Sequence, residues 1–349
     1  MSDDDIEYLR TPEARFSDLP SYDWETNYLE GLEGFGDMRL HYADAGPAEA
    51  ERTFLCLHGE PTWAYLYRKM IPVFVESGAR SVAPDFFGFG RSDKPVDDEV
   101  YSFEFHRESM LRVVEQLDLE NMTLVCQDWG GLVGLTLPME MPERFDRMIV
   151  MNTGLGTGEA PGKGFEMWLE FVRSQPDLEV GRLIDGAVPT ELTDGEIAAY
   201  DAPFPDQRYK AGVRTFPELV PTSPDEPGAE VSRCAARWLS DEWSGESFMA
   251  IGRQDPVLGP PVMEQLRTAD PRRRRPFRPG ARRESGPRGT AVFRGSIGGW
   301  EPCSPLVGRA KQKGVQGRLE CVGFGRFQIL EHDPDSGPLI VVFDEGDLA

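Results

Sequence analysis

One short segment limits the fold of this chain more than any other. The apolar run Leu124–Cys126, typical of a buried strand, leads directly into the Gly-rich segment Gln127–Gly131. A strand that passes into a helix through such a tight turn forces the side chain at the apex into a cavity, as in a nucleophile elbow. The apex residue here is Asp128. The segment therefore favours an α/β fold with a functional carboxylate at the end of a strand.

The residue types in this turn point to displacement chemistry. An aspartate nucleophile attacks carbon and leaves an ester, which suits displacement at an alkyl centre better than acyl transfer. The indole of Trp129 has one N–H donor and no acceptor, so it can hold a departing anion. The alternative is a buried strand that ends in an ordinary turn, since Asp and Gly are common turn residues. The segment alone leaves both interpretations open.

Two further segments run from an apolar strand into a loop, and they favour the catalytic interpretation. Residues 55–63 contain His-Gly-Glu-Pro-Thr-Trp, and residues 82–93 contain Asp-Phe-Phe-Gly-Phe-Gly. Together with Gln-Asp-Trp-Gly-Gly, these motifs resemble those of haloalkane dehalogenases, in particular the type that acts on small chlorinated alkanes. The resemblance covers roughly residues 1–267. It implies an α/β-hydrolase fold, with a mostly parallel sheet, helices on both faces and an inserted helical cap.

The resemblance also implies a set of site residues. Asp128 would be the nucleophile, and Asp255 would be the acid that orients a histidine base. Glu60, Trp129 and Trp168 would bind the oxyanion or the halide, and Phe165 would line the pocket. A lone tryptophan on an amphipathic helix more often serves ordinary packing, and an aspartate before a proline can simply mark a turn. Only the resemblance raises Trp168 and Asp255 to functional candidates.

The base that the resemblance requires is missing. The family places it in a Gly-His-Phe-Val-Gln motif after the acid, and no such motif follows Asp255. The four histidines are His41, His58, His106 and His332. His58 belongs to the predicted oxyanion loop, and His41 and His106 lie where the family does not place its base. His332 lies in an unrelated sequence.

The composition changes after residue 267. Residues 1–267 carry 23 basic and 50 acidic residues, whereas residues 268–349 carry 14 and 10, including the run Arg272–Arg275. Such a run usually marks a basic arm or a solvated patch. The segment Arg275–Arg282 indicates a different origin. One choice of codons for this segment, translated in the reading frame that starts at the second base, encodes Gly-His-Phe-Val-Gln-Glu-Arg, which is the family's histidine motif. We therefore interpret residues from about Thr268 onward as the frame-shifted end of a dehalogenase, the alternative being a genuine divergent tail.

The predicted organisation follows from alternating strands and helices. Strand candidates are Phe54–Leu57, Arg80–Ala83, Thr123–Cys126, Arg147–Met151 and Ser247–Ile251, and Phe103–Leu117 has the spacing of a helix. That alternation is typical of a parallel sheet covered on both faces. We expect a core at 1–155, a helical cap at 156–231, a second core part with the acid loop at 232–267, and an atypical basic tail at 268–349.

Charge and cysteine usage exclude several classes of protein. The net charge of −23 argues against a nucleic-acid partner, and four lysines before residue 268 fit a halophilic surface on which salt screens self-repulsion. The acidic N-terminus is not a secretory signal, no apolar run is long enough for a membrane span, and the five scattered cysteines form no disulfide framework. We expect a reduced, cytoplasmic enzyme without cofactor or metal, most simply a monomer.

Haloalkane dehalogenase is therefore the leading functional prediction, with small haloalkane and water as substrates and halide as a product. Because the histidine is missing, we expect hydrolysis of the ester to be impaired. An epoxide hydrolase is the first alternative, since it shares the aspartate nucleophile and uses cap tyrosines, here Tyr200 and Tyr209. A non-catalytic product of a damaged gene is the second.

Overall fold

The computed structural model describes residues 6–159, 161–175, 177–188 and 190–267, together with the backbone of three strands at 318–321, 324–331 and 339–344. Its described strands are β1 (Tyr8–Leu9), β2 (Thr26–Leu29), β3 (Leu40–Ala45), β4 (Thr53–Leu57), β5 (Arg80–Pro84), β6 (Lys94–Pro95), β7 (Met122–Gln127), β8 (Phe145–Met151), β9 (Glu246–Gly252), β10 (Arg318–Cys321), β11 (Phe324–Glu331) and β12 (Leu339–Asp344).

Ten of these strands form one sheet in the order β10-β11-β12-β9-β8-β7-β4-β5-β3-β2, while β1 and β6 pair separately. The six strands from β12 to β5 run parallel, and the pairs at both ends are antiparallel. Every residue of β4 is buried, as is expected for a parallel strand with helices on both faces. The predicted fold class is confirmed.

The described helices are α1 (Ile71–Glu76), α2 (Phe103–Gln116), α3 (Trp129–Gly134), α4 (Leu137–Glu140), α5 (Lys163–Ser174), α6 (Val180–Ala187), α7 (Asp194–Asp201), α8 (Ala211–Thr215), α9 (Ala229–Asp241) and α10 (Pro260–Arg267). Helices α5 to α8 follow one another between β8 and α9, with a 3-10 turn at Phe216–Leu219 after α8. Within the described residues, no helix is both long and apolar enough to span a bilayer.

The local signals in the sequence are reproduced closely. All five strand candidates are strands, with ends within two residues of those predicted, and the predicted helix is α2. Its first turn is fixed by Ser102, whose hydroxyl accepts a hydrogen bond from the Phe105 N–H at 3.0 Å. A side-chain acceptor at this position satisfies an N–H that the helix itself leaves unpaired.

One edge of the sheet was not predicted: strands β2 and β3 extend it antiparallel beyond β5. At the other edge we expected exposed apolar sheet, because the tail replaces the segment that should cover it, although the sequence offered Pro338–Phe343 as a strand. Instead β12 pairs parallel with β9 from Leu339 to Phe343, and β11 pairs antiparallel with β12. The edge of β9 that faces away from β8 is therefore paired with a strand of the tail itself. Residues 268–317, on which most of the frameshift hypothesis rests, lie outside the described residues.

At the centre of the sheet, the first turn of α3 lies in close contact with the backbone at the end of β4. A Cβ atom added to Gly130, in the first turn of α3, would lie 1.9 Å from the carbonyl oxygen of Leu57 at the end of β4. One added to Gly131 would lie 2.1 Å from Oγ1 of Thr153, just after β8. Both glycines are therefore required for α3 to start against the ends of the neighbouring strands.

This contact predicts a specific loss of stability. Gly130→Ala should lower the free energy of unfolding by about 3 kcal/mol, because the new methyl group overlaps rigid backbone. Gly186→Ala, in α6, is the matched control: its Cβ meets nothing within 4 Å, and the change should be neutral or stabilising. Urea denaturation followed by tryptophan fluorescence measures both. Equal midpoints for the two variants would contradict the proposed contact.

Candidate active site

Asp128 occupies the apex of the turn between β7 and α3 in a strained conformation. Its φ is 52° and its ψ is −125°, a region that residues other than glycine rarely adopt. Four hydrogen bonds of its backbone hold it there, one of them from the Leu132 N–H to the Asp128 carbonyl at 3.1 Å. The Asp128 N–H donates to the carbonyl of Asn152 at 3.0 Å, and its own carbonyl accepts from the Gly131 N–H at 2.9 Å and from the Thr153 hydroxyl at 2.7 Å. Such strain is typical of a functional position.

The loop after β4 supplies a donor to the Asp128 carboxylate. The Glu60 N–H donates to Oδ1 at 2.8 Å, and the approach requires Gly59, since a Cβ there would lie 2.6 Å from Oδ1. The backbone N–H groups of Glu60 and Trp129 both favour the ionised carboxyl. The two N–H groups have the arrangement of an oxyanion hole.

Burial dominates the electrostatics of Asp128. It raises the pKa of Asp128 to about 6, the charge of Asp255 adds to this effect, and the N–H groups of Trp129 and Glu60 oppose it. The Glu60 side chain shares the region: its Oε1 is buried and has no hydrogen-bond partner among the described residues. Burial and, next to it, the charge of Asp128 raise the pKa of Glu60 well above its ordinary value. Burial therefore disfavours the charged form of both carboxyls, and the charge of Asp128 disfavours it further at Glu60.

Asp255 lies in the loop after β9 and is linked to the elbow through Asn152, which the sequence analysis missed. Its Oδ1 accepts from the N–H groups of Val257 and Leu258, both at 2.8 Å, and its Oδ2 accepts from Nδ2 of Asn152 at 2.8 Å. Asn152 follows β8, and its backbone carbonyl accepts from Asp128. Its position after a parallel strand was the available signal, because such ends meet at one edge of the sheet.

Trp129 and the helix that carries Trp168 both contact the turn Phe216–Leu219. The buried Trp129 ring packs against Phe216 at 4.5 Å, and its indole N–H has no acceptor among the described residues. Trp168 is half-buried on α5, which contacts the same turn, and it stacks on Phe171 at 5.7 Å. No ring contact joins the two indoles directly within the described part of the chain.

Phe165 is buried one turn before Trp168 on the same helix. The start of α5 approaches the acid loop so closely that a Cβ on Gly164 would lie 2.0 Å from the carbonyl oxygen of Pro256. The helix that carries Phe165 and Trp168 is thus anchored beside Asp255. The structure therefore brings this helix to the edge of the sheet that carries Asp128.

Of the three described histidines, two are held by hydrogen bonds to other groups, and the third has a pKa too low for a general base. Nε2 of His58 accepts from the Phe86 N–H at 3.0 Å, so Nδ1 carries the proton and donates to the Gly59 carbonyl at 2.9 Å. Nδ1 of His41 pairs with Asp85 at 2.7 Å. Burial and repulsion from His58 lower the pKa of His106 to about 3. None of them bonds to Asp255, and His332 lies outside the described residues.

Of the two cap tyrosines considered for an epoxide hydrolase, Tyr200 is engaged elsewhere. Its hydroxyl accepts from Nη1 of Arg68 at 3.2 Å, and its ring packs edge-on against Tyr65. Tyr209 is partly buried against the core, and no hydrogen bond of its hydroxyl is recorded among the described residues. Neither contact favours epoxide protonation at Asp128.

Comparisons with known proteins agree with this geometry. The family model of the alpha/beta hydrolase fold matches residues 52–281. A haloalkane dehalogenase of Psychrobacter cryohalolentis is 45% identical over 267 residues, which cover 75% of this chain and 87% of the relative. One of Mycolicibacterium paratuberculosis is 42% identical over 253 residues, which cover 72% and 83%. The solved structure of the tetrameric haloalkane dehalogenase DpaA from Paraglaciecola agarilytica superposes with a TM-score of 0.74 at 51% identity, covering 75% of this chain and 88% of that one.

The parallel sheet, the strained elbow and the family match define an α/β-hydrolase. Within that superfamily the chain belongs to the haloalkane dehalogenases, hydrolases that act on carbon–halide bonds. The family resemblance read from the sequence is confirmed. The roles of the individual site residues remain predictions.

The raised pKa of Asp128 predicts the pH dependence of its alkylation. Only the ionised carboxylate attacks carbon, so the rate of the first halide release should be constant above pH 7 and fall about tenfold per pH unit well below pH 6. Quenched-flow measurement of bromide release between pH 4.5 and 8 tests this, with tryptophan fluorescence as the control for folding. A midpoint near pH 4, the ordinary value for aspartate, would contradict the burial of Asp128.

Proposed function

We propose that this chain converts small haloalkanes to alcohol and halide through an alkyl ester on Asp128, with Trp129 and Trp168 holding the halide. The observation that carries the proposal is the position of Asp128: a strained apex carboxylate with a donor on Oδ1 and a buried indole beside it. In this proposal Phe165, which is buried on α5, contributes an apolar lining that favours a halocarbon over a charged substrate.

The first half of the reaction requires only residues that are present. The carboxylate of Asp128 attacks the carbon that bears the halogen, the carbon–halogen bond breaks in line, and the halide leaves towards the indole N–H groups. The Trp129 indole is suited to this role because it carries a donor without a protein acceptor among the described residues. Exclusion of water strengthens each of these charge interactions.

The second half of the reaction requires a base, and here the chain is impaired. Asp255 should orient that base, and its tether to Asn152 supports a fixed carboxylate at the edge of the site. The histidine that it would orient is absent from the described residues around it. The alkyl ester should therefore accumulate, because water attacks it only slowly without a general base.

The frameshift accounts for the missing histidine, since the shifted reading of the codons for Arg275–Arg282 restores the family's motif. The nucleotide sequence of the gene decides the matter. A codon other than CCA at Pro276 would leave no shifted histidine and would refute the hypothesis.

Assembly and location complete the proposal. The tetramer described for DpaA, which is 51% identical, supports a tetramer for this chain over the monomer expected from its sequence. Met167 and Phe171, one turn apart on α5, are 70% and 41% exposed, and such an apolar patch suits an interface. Light scattering on the purified protein measures the assembly state directly.

The buried free thiols of Cys56 and Cys126 support a reducing, cytoplasmic location.

The mechanism predicts a stoichiometric reaction. Incubation with a small bromoalkane in concentrated sulfate should release one bromide per chain rapidly and add one alkyl group to the mass of the protein. Asp128→Asn should release none, and Trp129→Phe, which keeps the ring but loses the N–H donor, should slow the release by about 100-fold. Intact mass spectrometry and bromide assay provide the two measurements.

Other outcomes of this experiment separate the alternatives. Rapid, continued bromide release without an adduct would mean that an efficient base is present and that our interpretation of the tail is wrong. Diol formation from an epoxide, without bromide release, would identify an epoxide hydrolase. A folded protein that reacts with neither would be a non-catalytic product.

A further inference from the structure

The Glu60 side chain has no part in the first half of the reaction, yet it lies in the site. Its backbone N–H alone serves the oxyanion hole. Its Oε1 is buried without a hydrogen-bond partner among the described residues. Burying a carboxyl oxygen with no donor costs stability. Such a group, placed beside a strained nucleophile, indicates a functional role that the free enzyme does not reveal.

The charge of Asp128 adds to the effect of burial on the Glu60 carboxyl. Burial and this charge keep the pKa of Glu60 high, so Glu60 retains its proton in the free enzyme. Alkylation converts Asp128 into a neutral ester and removes the repulsion. The pKa of Glu60 then falls, because two coupled carboxyls ionise more easily one at a time. Glu60 thus becomes easier to ionise in the one state of the cycle that requires a base.

The other described groups near the site are poorly suited to this task. Both ring nitrogens of His58 are occupied, and His41 is held by Asp85. The Asp255 carboxylate already accepts three hydrogen bonds, so its oxygens are engaged by Asn152 and by the N–H groups of its own loop. Glu60 has a buried oxygen that none of the described residues engages.

We propose that Glu60 is the general base for the slow ester hydrolysis that remains in this chain. The inference rests on the proposed function, because it needs the alkyl ester of Asp128 as its substrate. It assigns to this chain a carboxylate in the role that a histidine has in its family.

The proton and bond changes balance with water as the only co-reactant. After alkylation Glu60 releases its proton to solvent. Its carboxylate then takes a proton from a water molecule while the water oxygen bonds to the ester carbonyl carbon, and the resulting oxyanion accepts from the N–H groups of Glu60 and Trp129. The bond from the carbonyl carbon to the alkyl oxygen breaks, and Glu60 returns the proton to that oxygen. The alcohol leaves, Asp128 is a carboxyl again and loses its proton, and Glu60 regains one from solvent.

The test separates the burst of bromide from the slow release that follows. Glu60→Gln preserves the backbone donor and the neutral shape of the side chain, so one bromide per chain should still appear. The slow phase should fall about 100-fold, the usual contribution of a general base, and the alkyl adduct should persist. Glu166→Gln, an exposed glutamate of α5, is the matched control and should keep the slow phase.

The burst itself reports that each variant is folded. Glu60→Asp, a shorter carboxylate, should give a slow phase between those of wild type and Glu60→Gln. Turnover of the wild type in ¹⁸O-labelled water should place label in the Asp128 carboxyl, since water attacks the carbonyl carbon. These three results together support Glu60 as the base.

The inference fails if the burst occurs but the slow phase is the same in Glu60→Gln and wild type. It also fails if the wild-type adduct persists for days, or if turnover leaves Asp128 unlabelled. In each of these cases Asp128 chemistry would still stand. Absence of both bromide release and an adduct in a folded wild-type protein overturns the proposed function and this inference together.

Discussion

The approach of the elbow turn to the end of β4 is the contact on which the rest of the site depends. Gly130 lies against the Leu57 carbonyl, and Gly59 lies against Asp128, each at a distance that no side chain permits. This approach places the Glu60 N–H within 2.8 Å of the nucleophile. The strained φ of Asp128 persists because neighbouring strands hold its N–H and its carbonyl at the same time. Positioning and oxyanion binding therefore have one structural origin.

Three carboxyl groups share this edge of the sheet: Glu60, Asp128 and Asp255. No cation is recorded among the described hydrogen-bond partners of any of them. Burial raises the pKa of Asp128 and of Glu60, and the charge of a neighbouring carboxylate raises each of them further. In a site of this kind, conversion of one carboxylate to an ester changes the acid–base behaviour of the next. The half-reactions are therefore coupled through charge as well as through the covalent intermediate.

The two halves of the reaction also differ in where their groups lie along the chain. The proposed nucleophile, oxyanion donors and halide donors all lie before residue 169. The base of the family belongs to a later segment, where the composition of this chain changes. A lesion in that segment can remove ester hydrolysis while the machinery for alkylation remains. The backbone of β12 nevertheless completes the parallel sheet beside β9.

The sequence by itself determined the strands, the elbow and the family, because apolar runs and Gly-rich turns are local signals. It named Asp128 and Asp255 but missed Asn152, which links them, and it could not show that the Glu60 side chain is left without a partner. The bonds from Glu60 to Asp128 and from Asn152 to Asp255 join residues 68 and 103 positions apart. Only the order of strands in the sheet brings such residues together, and local propensity does not encode that order. The tertiary structure therefore decided the tautomer of His58, the coupling of the carboxyls and the occupant of the open sheet edge.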